Sequence, residues 1–457
     1  VAALNDDAPV LAGMRSDAAG GYTKATDAAT FTEAGTAVVL ESNLTVADSD
    51  HTNLNSVMVQ VAEGYVKGED KLALVTDGGA GTVGDGFTAA WDADTGTLTI
   101  SGNKTLAQYQ AALRTVTYDN ENNDNPSTTD RKVEWRLYDG ANYSALKETD
   151  VLVSSTNDAP TLSGDGDSVQ FTEGTPVIID NNLVLADVDS ANLNGATVKI
   201  TNYKAGDQLL FTPTAGISIT GTATGVVDTT VTPNTLTLTL TGADTVEAYE
   251  AALRSIRFNN TGDNPDTTNR TIEWNVTDVS ADSTQVQSLA SAGTSTVTIS
   301  AVNDAPVLTG GGNTIQFSEG DAAVVLDNGI ALSDPEGSTV TTVTVQLAGD
   351  GVAITNSEVL DFDATASTKV TGTLSNNNRT LTVTNTNNAA NSDFQALLRT
   401  VKYANTDTAT LDGNRTITFS AVETVGTDNF TSANIVTTVS VAALNDDAPV
   451  LAGMRSD

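Results

Sequence analysis

The chain contains no cysteine and a single histidine, His51. The first absence excludes a disulfide scaffold, a thiol nucleophile and a cysteine zinc site. The second excludes a histidine metal cluster or a His-based catalytic triad within one repeated unit. Bases are scarce as well, 21 against 58 acids, and the resulting net charge of −37 argues against nucleic acid and anionic membrane surfaces as partners. No apolar run approaches the roughly 20 residues of a membrane span, so direct membrane insertion is not expected. No signal peptide or lipidation site is visible, and targeting information is expected to lie outside this stretch. Aromatic residues are only 5% of the chain.

What remains is rich in Thr, Val, Gly, Asn and Asp, the composition of β-structure with many turns. Apolar residues make up 39% and alternate along the chain, which separates it from a disordered polymer. One short stretch recurs four times: Asn5-Asp6-Asp7-Ala8-Pro9, Asn157-Asp158-Ala159-Pro160, Asn303-Asp304-Ala305-Pro306 and Asn445-Asp446-Asp447-Ala448-Pro449. Its prolines lie 151, 146 and 143 residues apart, a fixed period that points to repeated structural units. Each occurrence follows an alternating apolar run and precedes another, so a strand ends, a proline stiffens the chain and a new strand begins. Residues 441–457 are identical to residues 1–17, which reads as one period of 440 residues plus the start of the next, cut from a longer array. The expected units are 1–157 (with an insertion at about 12–29), 158–303 and 304–445, followed by 446–457 as the start of the next period.

The three copies can be read in register. An early Phe-Thr/Ser-Glu motif carries Glu33, Glu173 and Glu319, and lies later in copy one because of residues 12–29. That insertion is expected either to extend the first strand as a loop or to form a lateral docking element, because it occurs once per period. A buried strand and a second apolar segment then lead to acidic pairs: Asp48 and Asp50, Asp187 and Asp189, Asp334 and Glu336. Beyond a Gly/Thr-rich hairpin region, apolar residues at helical spacing predict a short helix at Leu106–Arg114, Val246–Arg254 and Phe394–Arg399, with Thr105 or Thr245 as N-cap. Trp135, Trp274 and Phe419 occupy equivalent positions inside alternating runs and are expected in cores. Each run reaches a late acid, Asp139, Asp278 or Glu423, before the last strand. The expected fold class is all-β: three tandem antiparallel β-sandwiches of cadherin or immunoglobulin type, about seven strands each with one short helix, arranged as a linear rod.

Four acidic sites repeat at every boundary, and Ca²⁺ accepts six to eight hard oxygen ligands in irregular geometry, so the pattern suits that ion. Asp and Asn are also ordinary turn residues, which is the competing explanation. The spacing Pro160-x12-Glu173, the string Ala-Asp-x-Asp-Ser-x-Asn-Leu, the late Asp139-Gly140 and the terminal Val302-Asn-Asp-Ala-Pro306 resemble the calcium motifs of cadherin repeats. Ala111–Asn120 (AALRTVTYDN) and Asn125–Arg131 (NPSTTDR) resemble the cadherin-like tandem domains of giant bacterial surface adhesins of the RTX/VCBS type. That resemblance covers essentially the whole chain. It implies secretion, often by one-step export, and a role as a long stalk or adhesive fibre rigidified by Ca²⁺. It also implies linker sites, in which the Glu and the late Asp come from the unit before a linker and the acidic pair from the unit after it. The first linker would then use Glu33, Asp139, Asn157 and Asp158 with Asp187 and Asp189. The second would use Glu173, Asp278, Asn303 and Asp304 with Asp334 and Glu336. The third would use Glu319, Glu423, Asn445 and Asp446 with Asp48 and Asp50 of the next period, and Asn5 and Asp6 stand for Asn445 and Asp446 at the chain start. No middle Asp-Arg-Glu motif is evident, which implies fewer ions per linker. Asp334-Pro335-Glu336 departs from the Asp-x-Asp pattern, and Asp6-Asp7 and Asp446-Asp447 add one residue.

The expected function is therefore a non-enzymatic, extracellular structural repeat at the cell surface or in a matrix. Its expected partners are further copies head to tail, with lateral contacts between fibres. The alternative is an adhesive repeat that itself binds glycans, other surfaces or neighbouring fibres. Catalysis by carboxylate pairs such as Asp92 and Asp94 is disfavoured, because Asp-x-Asp-x-Gly beside a strand is a hairpin turn.

Overall fold

A computed structural model describes residues 4–17, 23–75, 86–279, 287–407 and 412–444. Asn445 and Asp446, the stretch 446–457 and the middle of the copy-one insertion fall outside these residues. The described chain is all-β, and each copy builds its own hydrophobic core. In copy one a six-stranded sheet runs in the order Ala29–Thr32, Lys147–Ser154, Arg131–Tyr138, Asn53–Glu63, Thr97–Thr105 and Thr88–Asp92. A three-stranded sheet of Val38–Val39, Val116–Asn120 and Asp70–Leu74 lies in the same copy, and Val10–Ala12 pairs with Thr45–Ala47. Copies two and three repeat the plan, each with one further short strand on the large sheet.

The alternation read from the sequence is the alternation of burial. Asn53–Glu63 turns Leu54, Val57, Val59 and Val61 inward, with a register shift after Leu54. Trp135, Trp274 and Phe419 are fully buried, as expected. Each indole N–H finds a partner: Trp135 Nε1 donates to Thr149 Oγ1 (3.0 Å) and Trp274 Nε1 to Ser295 Oγ (2.9 Å). Those hydroxyls donate in turn to Glu41 and Asp180, so each buried ring closes a polar chain.

Two expectations need correction. The sheets are mixed rather than purely antiparallel, because the first long strand of each copy runs parallel to its last: Val151 opposite Ala29, Val297 opposite Val169, Val439 opposite Ile315. These first and last strands run the same way, so both end on the same side of the copy, beside the next junction. The third helix spans Asn391–Leu398 and starts earlier than its apolar spacing suggests. Ala390 offers no capping oxygen, and the Asp393 carboxylate instead accepts from the Ala390 N–H (2.9 Å). The other helices, Leu106–Leu113 and Val246–Arg254, carry the expected Thr105 and Thr245 caps.

One element was not anticipated. Arg131, Arg270 and Arg415 are completely buried, each against a buried acid: Asp70, Asp207 and Glu358. Asn120 and Asn260 donate to the same acids, and Tyr118 and Tyr403 add hydroxyls where copy two has Phe258. Arg131 also donates to the carbonyls of Ser127 and Thr129, and Arg270 to that of Thr268, which ties the loop before each arginine to the core. The copy-one insertion is anchored too: Met14 is buried in the core, Arg15 N–H donates to Glu41 and its Nε to Leu40 O.

Candidate metal centres at the junctions

Each acidic pair is a turn that spends one carboxylate oxygen on its own backbone. Asp48 Oδ1 accepts from the N–H groups of Asp50 and His51, Asp187 Oδ1 from Asp189 and Ser190, and Asp334 Oδ1 from Glu336 and Ser338. The second member of the pair accepts from the junction backbone. Asp189 takes the Asp158 N–H (3.3 Å) and Glu336 the Asp304 N–H (3.1 Å). At the chain start Asp50 takes both the Asp6 and Asp7 N–H groups (2.7 and 2.9 Å), a second donor that the additional residue supplies. The early glutamates sit where the parallel strands end. Glu33 accepts from Thr156 N–H (2.6 Å), Glu173 from Val302 N–H (2.9 Å) and Glu319 from Leu444 N–H (2.9 Å).

The late acids belong to the opposite end from the one expected. Asn157 Nδ2 donates to Asp278 (2.5 Å), and Asn303 Nδ2 donates to Glu423 (3.3 Å). Asn142, three residues beyond Asp139, donates to the carbonyls of Asn5 and Asp7. Asp139, Asp278 and Glu423 therefore face the junction before their own copy, together with its acidic pair. The cause is strand direction: Arg131–Tyr138 runs antiparallel to Lys147–Ser154 and so ends beside the start of Asn53–Glu63. The first full junction thus gathers Glu33 from copy one with Asn157, Asp158, Asp187, Asp189 and Asp278. The second gathers Glu173 with Asn303, Asp304, Asp334, Glu336 and Glu423. Glu319 stands at the far end of copy three, and Asn5, Asp6, Asp48, Asp50 and Asp139 at the near end of copy one.

Sequence reasoning missed one carboxylate per junction. Oxygens of Glu173, Asp263 and Asp304 lie within 4.8 Å of one another. Asp124, in the same Asp-Asn-Pro setting as Asp263, acts with Glu33 and Asp189 on Asp158. The recurring Asp-Asn-Pro at 124–126 and 263–265 was the available signal, hidden among ordinary turn residues.

Charge of one sign at this density is costly. Two unit charges 4 Å apart repel by about 1 kcal/mol in water and about 4 kcal/mol near a protein surface. The carboxyls respond accordingly. Burial, reinforced by Asp189, pushes Asp187 up to about 6. Burial and neighbouring carboxylates also raise Asp158, Glu173 and Glu423. Asp50 is lowered instead, chiefly by the Asp7 N–H.

Most telling are the oxygens left without any donor. Buried polar atoms are nearly always hydrogen-bonded. Among the described residues, the buried carboxylates with a partnerless oxygen are Asp48, Asp50 and Asp139, Glu33, Asp158, Asp187 and Asp189, and Glu319, Asp334 and Glu336; the amide oxygen of Asn5 joins them, and the other such oxygens are on Ser16, Asn275, Thr355 and Thr437. All ten carboxylates, and Asn5, are residues that the repeat pattern had singled out. A cluster of bare, hard oxygens converging from two sides of a bend fits a divalent cation with irregular oxygen coordination. Asp92 and Asp94, by contrast, close a hairpin turn: Asp94 N–H donates to Asp92, and Asp94 pairs with Lys67.

No family model matches the chain. Over 132 residues, 28% of its length, it is 29% identical to halomucin of Haloquadratum walsbyi, a stretch amounting to 1% of that protein. Among solved structures it is similar to the extracellular cadherin domains 1–5 of protocadherin gamma B2 (13% identity, TM-score 0.30, 97% of this chain and 62% of that one). It is also similar to domains EC22–24 of mouse cadherin-23 (11% identity, TM-score 0.29, 96% of this chain and all of that one). Superpositions of this quality assign no function. No helix among the described residues is long and apolar enough to cross a membrane.

Proposed function

We propose that the chain is a non-enzymatic extracellular spacer: three tandem β-sandwich domains in a linear rod, stiffened by Ca²⁺ at each junction and continued head to tail by further periods of a surface or matrix fibre. One observation carries this reading, the buried partnerless oxygens gathered at every described junction. At the first junction Glu33, Asp158, Asp187, Asp189 and Asp278 would hold the ion, with Asn157 positioning Asp278. Bound there, the ion supplies positive charge that cancels repulsion across the bend. The chain's own residues do the rest: the acidic turns orient their free oxygens, and the proline after each junction restricts the backbone. Extracellular modules of this kind bind with dissociation constants of about 10⁻⁴–10⁻³ M. The stretch shared with halomucin is too small a part of that protein to lend its function.

The test is calcium titration by calorimetry, with thermal melting and small-angle scattering in millimolar calcium and in excess chelator. A calcium-dependent rise in Tm, with a stiff particle becoming flexible on chelation, is the expected result. Identical melting and shape in both conditions would sink the proposal and leave the acids as solubilising turn residues.

A further inference from the structure

At both junctions between described copies, a direct hydrogen bond that involves no carboxylate crosses from the same loop. Asn125 Nδ2 donates to Val188 O (2.8 Å), and Asn264 Nδ2 donates to Pro335 O (3.2 Å). The acceptor is the middle residue of the acidic pair of the next copy, Asp187-Val188-Asp189 or Asp334-Pro335-Glu336. The donor follows Asp124 or Asp263 and precedes a buried proline, Pro126 or Pro265. In copy one the loop is fastened below: Arg131 holds the Ser127 carbonyl, and Glu69 accepts from the Ser127 N–H and the Asn122 side chain. A side chain on a loop so anchored can set the position of the turn it grips.

We propose that the Asp-Asn-Pro loop is a latch between successive copies, in which the asparagine fixes the acidic turn of the next copy directly and the aspartate adds a carboxylate to the cation site. The sequence of copy three has no Asp-Asn-Pro at this place. At the same spacing between its equivalent asparagine and arginine, Asn405 and Arg415, it carries Thr408-Ala409-Thr410 where copy two has Asp263-Asn264-Pro265. By sequence the junction after copy three lacks both latch residues, so the same proposal gives each 440-residue period two latched joints and one compliant joint. The role of the aspartate rests on the calcium reading above; that of the asparagine does not.

The absence of cysteine allows spin labels on cysteines introduced in the full chain at exposed Thr36 and Thr212, one on each side of the first junction. Asn125→Ala is expected to broaden the label distance distribution at least twofold in calcium and to broaden further the already wider distribution in chelator, with the calcium isotherm changed less than twofold. Asp124→Asn is expected to weaken calcium binding at that junction about tenfold with the distribution still narrow at saturation. A distribution unchanged in Asn125→Ala overturns the latch, whether or not calcium binds. Absence of calcium binding to the wild type leaves the chelator comparison intact, so the two readings fail separately. For the third joint, residues 18–157 are appended after Asp457 to complete the next copy one. Replacing Thr408-Ala409-Thr410 by Asp-Asn-Pro there should narrow the distribution across that joint, and no narrowing overturns the compliant joint.

Discussion

An aspartate in a turn ordinarily satisfies its backbone and presents its other oxygen to water; at these junctions that second oxygen is buried with nothing to accept from. Asp187 shows the consequence. Its carboxyl is raised from 3.8 to about 6, mainly by burial. The folded chain therefore holds a proton there that the unfolded chain has released. The stabilisation is present in full below the unfolded value and is lost as pH rises through about 6. In chelator, melting temperature is expected to fall between about pH 4 and 6, with Asp158, Glu173 and Glu423 contributing in the same direction. In millimolar calcium the fall should vanish, because the ion takes the place of the proton and its affinity rises with pH. Melting across pH with and without calcium measures both.

At the scale of the element, strand direction assigns side chains to junctions. Asp278 ends the strand Arg270–Asp278 beside Asn157, not beside Asn303. Asp278→Ala should therefore weaken calcium binding and loosen the first junction while leaving the second unchanged, read with one spin-label pair across each. The buried arginines make a different test. Arg270→Ala leaves Asp207 buried without its charge partner and is expected to cost about 3–5 kcal/mol in denaturant unfolding. Replacing both Arg270 and Asp207 by apolar residues of matching volume should restore most of that stability. Phe258 already occupies the place that Tyr118 and Tyr403 fill elsewhere, so the ring matters there more than its hydroxyl.

For the whole molecule, a net charge of −37 on 457 residues favours expansion, and acidic groups cluster where copies meet. Monovalent salt shortens the screening length to about 3 Å at 1 M, which weakens repulsion between exposed acids but supplies no donor to a buried oxygen. Scattering in chelator with 1 M NaCl should therefore show a chain more compact than at low salt yet still flexible, and only divalent cations should restore stiffness. Full stiffening by NaCl alone would mean that general repulsion, not site binding, governs shape.

The amino-acid sequence by itself determined the repeat, the β-class, the cores and the set of acidic positions. Alternation and periodicity are local signals, and Val57, Trp135 and Leu253 are buried as their spacing requires. Nearly all the junction acids could be named for the same reason: they recur in register. Only the tertiary structure decided which acids meet. The parallel pairing of first and last strands places Glu33 at the exit of its copy, while the antiparallel neighbour returns Asp139 to the entrance. Turn propensity cannot distinguish those ends, since Asp suits a turn at either one. Asp124, Asp263 and the asparagines beside them recur in the sequence but could not be assigned to a junction for the same reason. A loop becomes a contact only when the next copy is placed against it, and that placement depends on residues more than 60 positions away along the chain.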